Sequence, residues 1–318
     1  MIWQDPRLTG DSYDIYGHHL LATGLDTHWS ANGIVVCNAA NDQSAPQLIP
    51  DGAGGMIAAW ADDRGTDRNI YALRMTATGL RASGWSANGK AICTAIWDQD
   101  DPVLVSDGAD GAIIAWDDQR NALSLDVYAT RVKSNGALDS NWPSGGRCLS
   151  TIDDLADRAP HAITDAAGGA YVIWFSDQGV PDYPALRAQH VLATGALHGS
   201  WPAGGAVLSD TLRFAIDGVV DGAGGAIIGW VDRRGPNGVV ATHLLTDGID
   251  PAWTPNGIGI SGGIGERDYL HLVYDGAGAA IATWADTRNA SVDIYAGRIP
   301  ASATSWALLP WCRHGRPA

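Results

Sequence analysis

The sequence predicts an all-β chain made from one repeated four-stranded unit, and three observations carry that prediction. A short turn recurs as Asp51-Gly-Ala-Gly-Gly55, Asp107-Gly-Ala-Asp-Gly111, Asp165-Ala-Ala-Gly-Gly169, Asp221-Gly-Ala-Gly-Gly225 and Asp275-Gly-Ala-Gly-Ala279, in steps of 56, 58, 56 and 54 residues. A tryptophan stands nine positions after each of those aspartates (Trp60, Trp116, Trp174, Trp230, Trp284), and Trp3 heads a sixth copy. The composition excludes helix formers: of 35 acidic residues all but Glu266 are aspartate, Lys90 and Lys133 are the two lysines, and 40 residues are glycine. Aspartate favours turns because its short carboxylate bonds nearby backbone N–H groups, whereas glutamate and lysine favour helices.

The repeat reads as four strands in order. Residues 46–50 lead into the Asp51 turn, and Met56–Asp62 follows as an apolar, buried strand, so the first two strands form a hairpin. A polar loop containing Asp62, Asp63 and Arg64 separates them from a third strand at 70–75. A longer connection carrying Trp85-Ser-Ala-Asn-Gly89 then leads to a short fourth strand, Lys90–Cys93. Trp29, Trp142, Trp201 and Trp253 occupy the same connection in other copies. Four short antiparallel strands repeated at this period match a β-propeller, in which sheets pack face to face. Six blades are expected, the first and last incomplete, with five as the alternative. Residues 1–300 are expected to form one propeller domain and 301–318 an irregular tail.

The order Pro46, Asp51-Gly52, Trp60-x-Asp62-x-Arg64, Ile70-Tyr71 resembles the repeat of TolB-type bacterial propellers over nearly the whole chain. That resemblance implies the propeller fold and a class containing both binding modules and domains attached to enzymes.

Charge and composition narrow the function. A net charge of −15 argues against a nucleic-acid partner, because phosphate binding requires a basic surface. No apolar run is long enough to span a bilayer as a helix, so no membrane insertion is expected. The opening residues lack the basic and apolar regions of a signal peptide, and the chain is expected to be part of a longer secreted, cell-surface or periplasmic protein. Cys37, Cys93 and Cys148 fall at or near one register of successive repeats, too far apart for a disulfide, and are expected to be small buried apolar residues. Cys312 is left unpaired.

Most conspicuous residues belong to the repeat. Asp51, Trp60, Asp62, Arg64, Asp107, Trp116, Asp165, Trp174, Asp221, Trp230, Asp275 and Trp284 recur and are therefore read as scaffold. Alternating strand directions put the Asp/Arg loops and the inter-repeat segments on one acidic face. There Asp98, Asp100 and Asp101 are the best address for calcium, which seeks several oxygens. Trp97 aligns with Asn41 of the preceding copy, so the scaffold does not require it, and it is a candidate platform for a sugar ring or a partner side chain. The third turn-bearing repeat replaces Asp-x-Arg with a Pro-rich loop containing Asp182 and Tyr183. The next inter-repeat segments carry Arg213, then Glu266 and Tyr269. These five are candidate ligand-binding residues, with a protein or glycan as partner. No HExxH, Gly-x-Ser-x-Gly, P-loop or sialidase Asp box is present, so no catalytic residue is assigned and no cofactor other than calcium is expected. The expectation is a non-enzymatic binding or scaffold module. The alternative is a propeller carbohydrate-active enzyme, a glycoside hydrolase or lyase, using the irregular third to fifth turn-bearing repeats.

Overall fold

The computed structural model describes residues 1–7, 12–121, 124–150, 156–177, 184–210, 213–232, 238–261, 266–288, 291–302 and 307–308. Among these residues there is no helix, and antiparallel strands form six successive sheets. Sheet one contains Ile2–Asp5, Asp14–Gly17 and Ile34–Cys37, with a small hairpin, Leu20–Leu21 and Gly24–Leu25, beside it. Sheet two runs in chain order through Gln43–Pro50, Met56–Asp62, Asn69–Met75 and Lys90–Cys93. Sheets three to six repeat this order, beginning at Gln99, Asp157, Arg213 and Arg267. The all-β propeller class expected from the repeat is the observed one.

Packing divides the chain into two compact units. Met1–Phe175 with Gln189–His198 and Ala203–Gly205 form the first, and Ser176–Ala188, Gly199–Pro202 and Ala206–Ala318 form the second. Sheets one to three lie in the first unit, and sheets five and six in the second.

Junctions between sheets within a unit follow one rule, set by the two-residue period of a strand. In sheet two, Ile57, Ala59, Ile70 and Ala72 share one face and pack on Leu104, Ile114, Trp116 and Tyr128 of sheet three. In the second unit, Ile227, Val231, Val239 and Ala241 of sheet five pack likewise on Leu270, Leu272, Trp284 and Tyr295 of sheet six. At both of these junctions one face of the earlier sheet therefore receives the tryptophan face of the later one. The second strands are buried along their whole length because both their faces are covered.

The two tryptophan series do different work. Trp60, Trp116, Trp174 and Trp230 are fully buried within their sheets. The long-connection tryptophans tie one repeat to the next: Trp29 Nε1 donates to Ala77 O at 2.9 Å, Trp85 to Ser134 O at 2.9 Å and Trp253 to Ala301 O at 3.2 Å. The glycine four residues after each long-connection tryptophan also has a mechanical role. Gly89 has φ +86°, and a Cβ there would lie 2.5 Å from Trp60 Cη2. Gly89→Ala combines left-handed strain with a clash against an immobile ring, and should cost ~3 kcal/mol, read as a shift in the denaturation midpoint. A shift within the error of the measurement would show that Trp60 can yield.

Candidate functional site

The Asp-x-Arg motif is a structural lock. Asp62 is fully buried, and its carboxylate accepts Trp60 Nε1 at 2.8 Å, Arg64 N at 3.0 Å and Arg64 Nε at 2.7 Å. The Arg64 guanidinium lies over the Tyr71 ring at 3.8 Å and donates to Asn88 O at 2.7 Å. Sheet three repeats this with Trp116, Asp118, Arg120 and Tyr128, and sheet six with Trp284, Asp286, Arg288 and Tyr295. Burial opposes ionisation of Asp286, but hydrogen bonds from Arg288 and Trp284 and the charge of Arg267 hold it down at about 2. In sheet four Ser176 replaces the aspartate, and Trp174 Nε1 has no partner.

The turn aspartates are equally occupied. Asp51 Oδ1 accepts the N–H groups of Ala53 and Gly55 at 2.8 and 2.7 Å, and its Oδ2 accepts Arg74 Nε at 2.9 Å. A basic residue at the Arg74 position recurs as Arg131, His190, His243 and Arg298, each bonded to the turn aspartate of its own repeat. The sequence reading missed this series, although its signal, a basic residue three positions after the residue paired with the strand-two tryptophan, is present in five repeats. His243 is held on both nitrogens, by Asp221 at 2.9 Å and Asp250 at 2.8 Å. The cavity of about 590 Å³ between Asp51, Arg74, Thr76, Ser83 and Ser134 lies over these occupied groups, so its charges are already neutralised within the scaffold.

The calcium address does not assemble. Asp98 Oδ1 accepts the backbone N–H of Arg68 at 3.0 Å, and Asp100 Oδ2 pairs with the Arg68 guanidinium at 2.5 Å. The same guanidinium is bidentate to Asp63, at 2.9 and 3.0 Å. Arginine thus occupies the charge that a cation would need, and among the described residues no three metal-ligating side chains are placed so that they could hold one ion. Asp98 and Asp101 are exposed and Asp100 is half-buried, but of the three only Asp101 makes no hydrogen bond with Arg68.

Three carboxyl groups nevertheless stand together here. The first strand of sheet three bulges between Asp100 and Val103, with Asp101 at φ +48°. Asp117 is the strand-two residue paired with Asp100. Other sheets place Ala61, Val231 or Ala285 at the Asp117 position, where the side chain faces the following sheet. Asp117 is 5% exposed; its Oδ2 accepts Ala159 N at 3.1 Å, while its Oδ1 is buried without a partner. Burial, with the neighbouring charges of Asp101 and Asp100, pushes the Asp117 carboxyl up to about 8 despite the Ala159 hydrogen bond. Asp101 is raised as well, through lost hydration and the Asp100 charge. Trp97, on the connection leading into this strand, is 53% exposed with φ +62°.

The other candidates do not join this group. Asp182 and Tyr183 lie outside the described residues. Arg213 begins the first strand of sheet five with Asp232 as its partner. Glu266 is exposed and exchanges hydrogen bonds with Thr287 through its backbone. Tyr269 is 73% exposed at φ +53°, on the bulge of sheet six that corresponds to Asp101 in sheet three. Cys37 and Cys93 are buried free thiols, pushed up to about 12 and about 11 chiefly by burial, and Cys148 is half-buried.

No protein-family model matches the chain, and no curated protein matches it. Solved structures do. The polysaccharide lyase Uly1 matches with a TM-score of 0.53 at 10% identity, over 91% of this chain and 69% of that one. A puromycin hydrolase matches with a TM-score of 0.50 at 15% identity, over 86% of this chain and 39% of that one. An endo-arabinase from Bacteroides thetaiotaomicron matches with a TM-score of 0.41 at 10% identity, over 86% and 95% of the two chains. At these identities the matches establish the fold. The expectation of a non-enzymatic module is corrected in favour of its alternative: the two matches at TM-scores of 0.53 and 0.50 are a polysaccharide lyase and a puromycin hydrolase, both enzymes. The scaffold reading rested on regular recurrence, and recurrence describes Asp62 and Asp118 but not Asp117.

Proposed function

We propose that the chain is a propeller carbohydrate-active enzyme whose site is the Asp100, Asp101 and Asp117 cluster with Trp97 beside it, and that it cleaves glycosidic bonds by hydrolysis. The observation that carries this reading is the buried carboxyl of Asp117, which retains its proton at neutral pH beneath an exposed carboxyl. Hydrolysis needs one protonated and one ionised carboxyl group, and environments that drive neighbouring acids apart supply them. Asp101, the member that reaches solvent, donates its proton to the glycosidic oxygen. Asp100, paired with Arg68, supplies the negative charge that faces the developing positive charge on the sugar. Water then adds to that sugar carbon and its proton returns to the Asp101 carboxylate, while the neutral Asp117 below adds no third negative charge to the cluster. The exposed indole of Trp97 offers a flat apolar surface for a sugar ring. A polymeric substrate agrees with a secreted or periplasmic setting. On the order of its motifs alone, the repeat belongs with TolB-type propellers in this reading.

The test is incubation with neutral polysaccharides such as arabinan and xylan and with a uronate polymer, following reducing ends and the ultraviolet absorbance of unsaturated products. Reducing ends without new absorbance are expected, with a loss of about 100-fold or more in Asp101→Asn and a raised KM in Trp97→Ala. Unsaturated products would replace hydrolysis by elimination. An Asp101→Asn variant of undiminished activity, or no cleavage of any polymer, would overturn the assignment.

A further inference from the structure

The basic residues that hold the turn aspartates meet a second series, carried by the long connections. Sheet one has His19 at the Arg74 position, three residues after Tyr16, the partner of Trp3. Seven or eight residues after each base, the backbone N–H of one residue bonds the carbonyl oxygen of that base: Asp26 on His19, Ala82 on Arg74, Asp139 on Arg131, His198 on His190 and Asp250 on His243, at 2.9 or 3.0 Å. Four of these five also meet the base through their side chains. Asp26 Oδ2 takes His19 Nδ1 at 2.8 Å, Asp250 Oδ2 takes His243 Nδ1 at 2.8 Å and Asp139 Oδ2 takes Arg131 Nη1 at 3.4 Å, while the His198 ring stacks on His190 with centroids 5.2 Å apart. Burial opposes ionisation of Asp139, yet the Asn141 N–H and the charges of Lys133 and Arg131 hold its carboxyl below the ordinary value.

Among the described residues, sheet two alone departs from the series. Ala82 has only a methyl group to offer, and the cavity of about 590 Å³ lies there, lined by both Ala82 and Arg74. Arg74, 15% exposed, spends Nε on Asp51 and Nη1 on Ser134 O at 3.3 Å; its Nη2 has no protein partner among the described residues. Neutralisation by Asp51 does not close this position to a further acid, because Arg131 holds both Asp107 and Asp139, and His243 holds both Asp221 and Asp250.

We infer that this cavity binds a sugar acid, whose carboxylate takes beside Arg74 the place that the Asp139 carboxylate takes beside Arg131. The acid group is specified by the chain's own repeats: sheets three and five give the base a second carboxylate at this register, and sheet two keeps the base and the turn aspartate but not that carboxylate. Arginine suits the role, since its guanidinium makes charge-assisted hydrogen bonds to carboxylates. The hydroxyl and amide groups of Thr76, Thr78, Ser83 and Asn135 add donors and acceptors to the lining, which match a polyhydroxylated acid rather than an aliphatic one. The volume is that of a small-molecule site. The cavity adjoins the Asp51 turn, whereas Asp117 stands at the far end of the strand that leaves the Asp107 turn, so this site is separate from the Asp101 cluster.

Isothermal titration calorimetry on the full chain is the test, with D-glucuronate, glucose and acetate as titrants at constant ionic strength, because salt screens exposed charges. Saturable binding of glucuronate is expected, with glucose and acetate at least tenfold weaker. Ala82→Asp supplies the internal acid of sheet three and should weaken glucuronate binding by about tenfold or more, with an unchanged circular dichroism spectrum. The absence of saturable glucuronate binding, or equal binding of glucose, would overturn the inference, and that comparison needs no variant. Acetate bound as tightly as glucuronate would overturn the sugar-acid class. Undiminished binding in a folded Ala82→Asp variant would overturn the assignment to this cavity.

Discussion

Replacing Asp118 by alanine is expected to lower the melting temperature by on the order of 10 °C, among the largest effects of any single substitution in the chain. The carboxylate is fully buried and accepts Trp116 Nε1 at 2.8 Å, Arg120 N at 2.9 Å and Arg120 Nε at 2.7 Å. Its removal leaves an indole N–H unpaired and a mostly buried guanidinium without its counter-charge, and breaking such a pair costs about 3–5 kcal/mol. Arg120 would retain its bonds to Gly145 O at 2.8 Å and its seat over Tyr128, so the lower part of that range is the better guide. The control is Ser176 of sheet four, which already lacks the carboxylate. There Trp174 Nε1 is buried and unpartnered, so Ser176→Ala should change the midpoint little. Equal losses in the two variants, measured by thermal unfolding, would show that the lock contributes nothing beyond packing.

The same contrast shows what could be read from the sequence. The spacing of Asp51, Asp107, Asp165, Asp221 and Asp275 gives the strand hairpins directly, because the turn needs an aspartate to gather its N–H groups and favours glycine where φ is positive, Asp110 and Ala166 being the departures. The second and fourth strands of sheet two, at 56–62 and 90–93, fall where the apolar pattern puts them. The first strand starts at Gln43 rather than Pro46 because it bulges, with Ala45 at φ +48°, and no residue type announces that bulge: Ala45, Asp101, Ala159, Ala215 and Tyr269 share it. The bulge is also what decides which carboxyl group reaches solvent. Asp98, Asp100 and Asp101 looked alike as a string of acids, and only the placement of Arg68 distinguishes them, a contact spanning 32 residues in the case of Asp100. Asp117 stands beside Asp118 in the sequence as one more acid, and only its place within a strand shows that alternation sends the two side chains to opposite faces.

That difference in face gives Asp117 an effect on stability that runs against the usual one for an acid. Its carboxyl is displaced upward to about 8, mainly by burial, from the ordinary value of about 4 that it regains in the unfolded chain. Below about pH 4 the group is protonated in both states and the folded chain carries no penalty. As pH rises, the unfolded chain releases the proton first, so folding becomes progressively less favourable until the folded group also ionises near pH 8. The accumulated loss is roughly 5–6 kcal/mol, taking about 1.4 kcal/mol for each unit of displacement of a side chain that is only 5% exposed. Asp117→Asn keeps the acceptor for Ala159 N and removes the titration. The variant should therefore match the parent near pH 4 and exceed it by several kcal/mol near pH 9, in paired urea titrations across that range. A stability difference independent of pH would mean that Asp117 is ionised in the folded chain, and the acid–base role assigned to its cluster would fall with it.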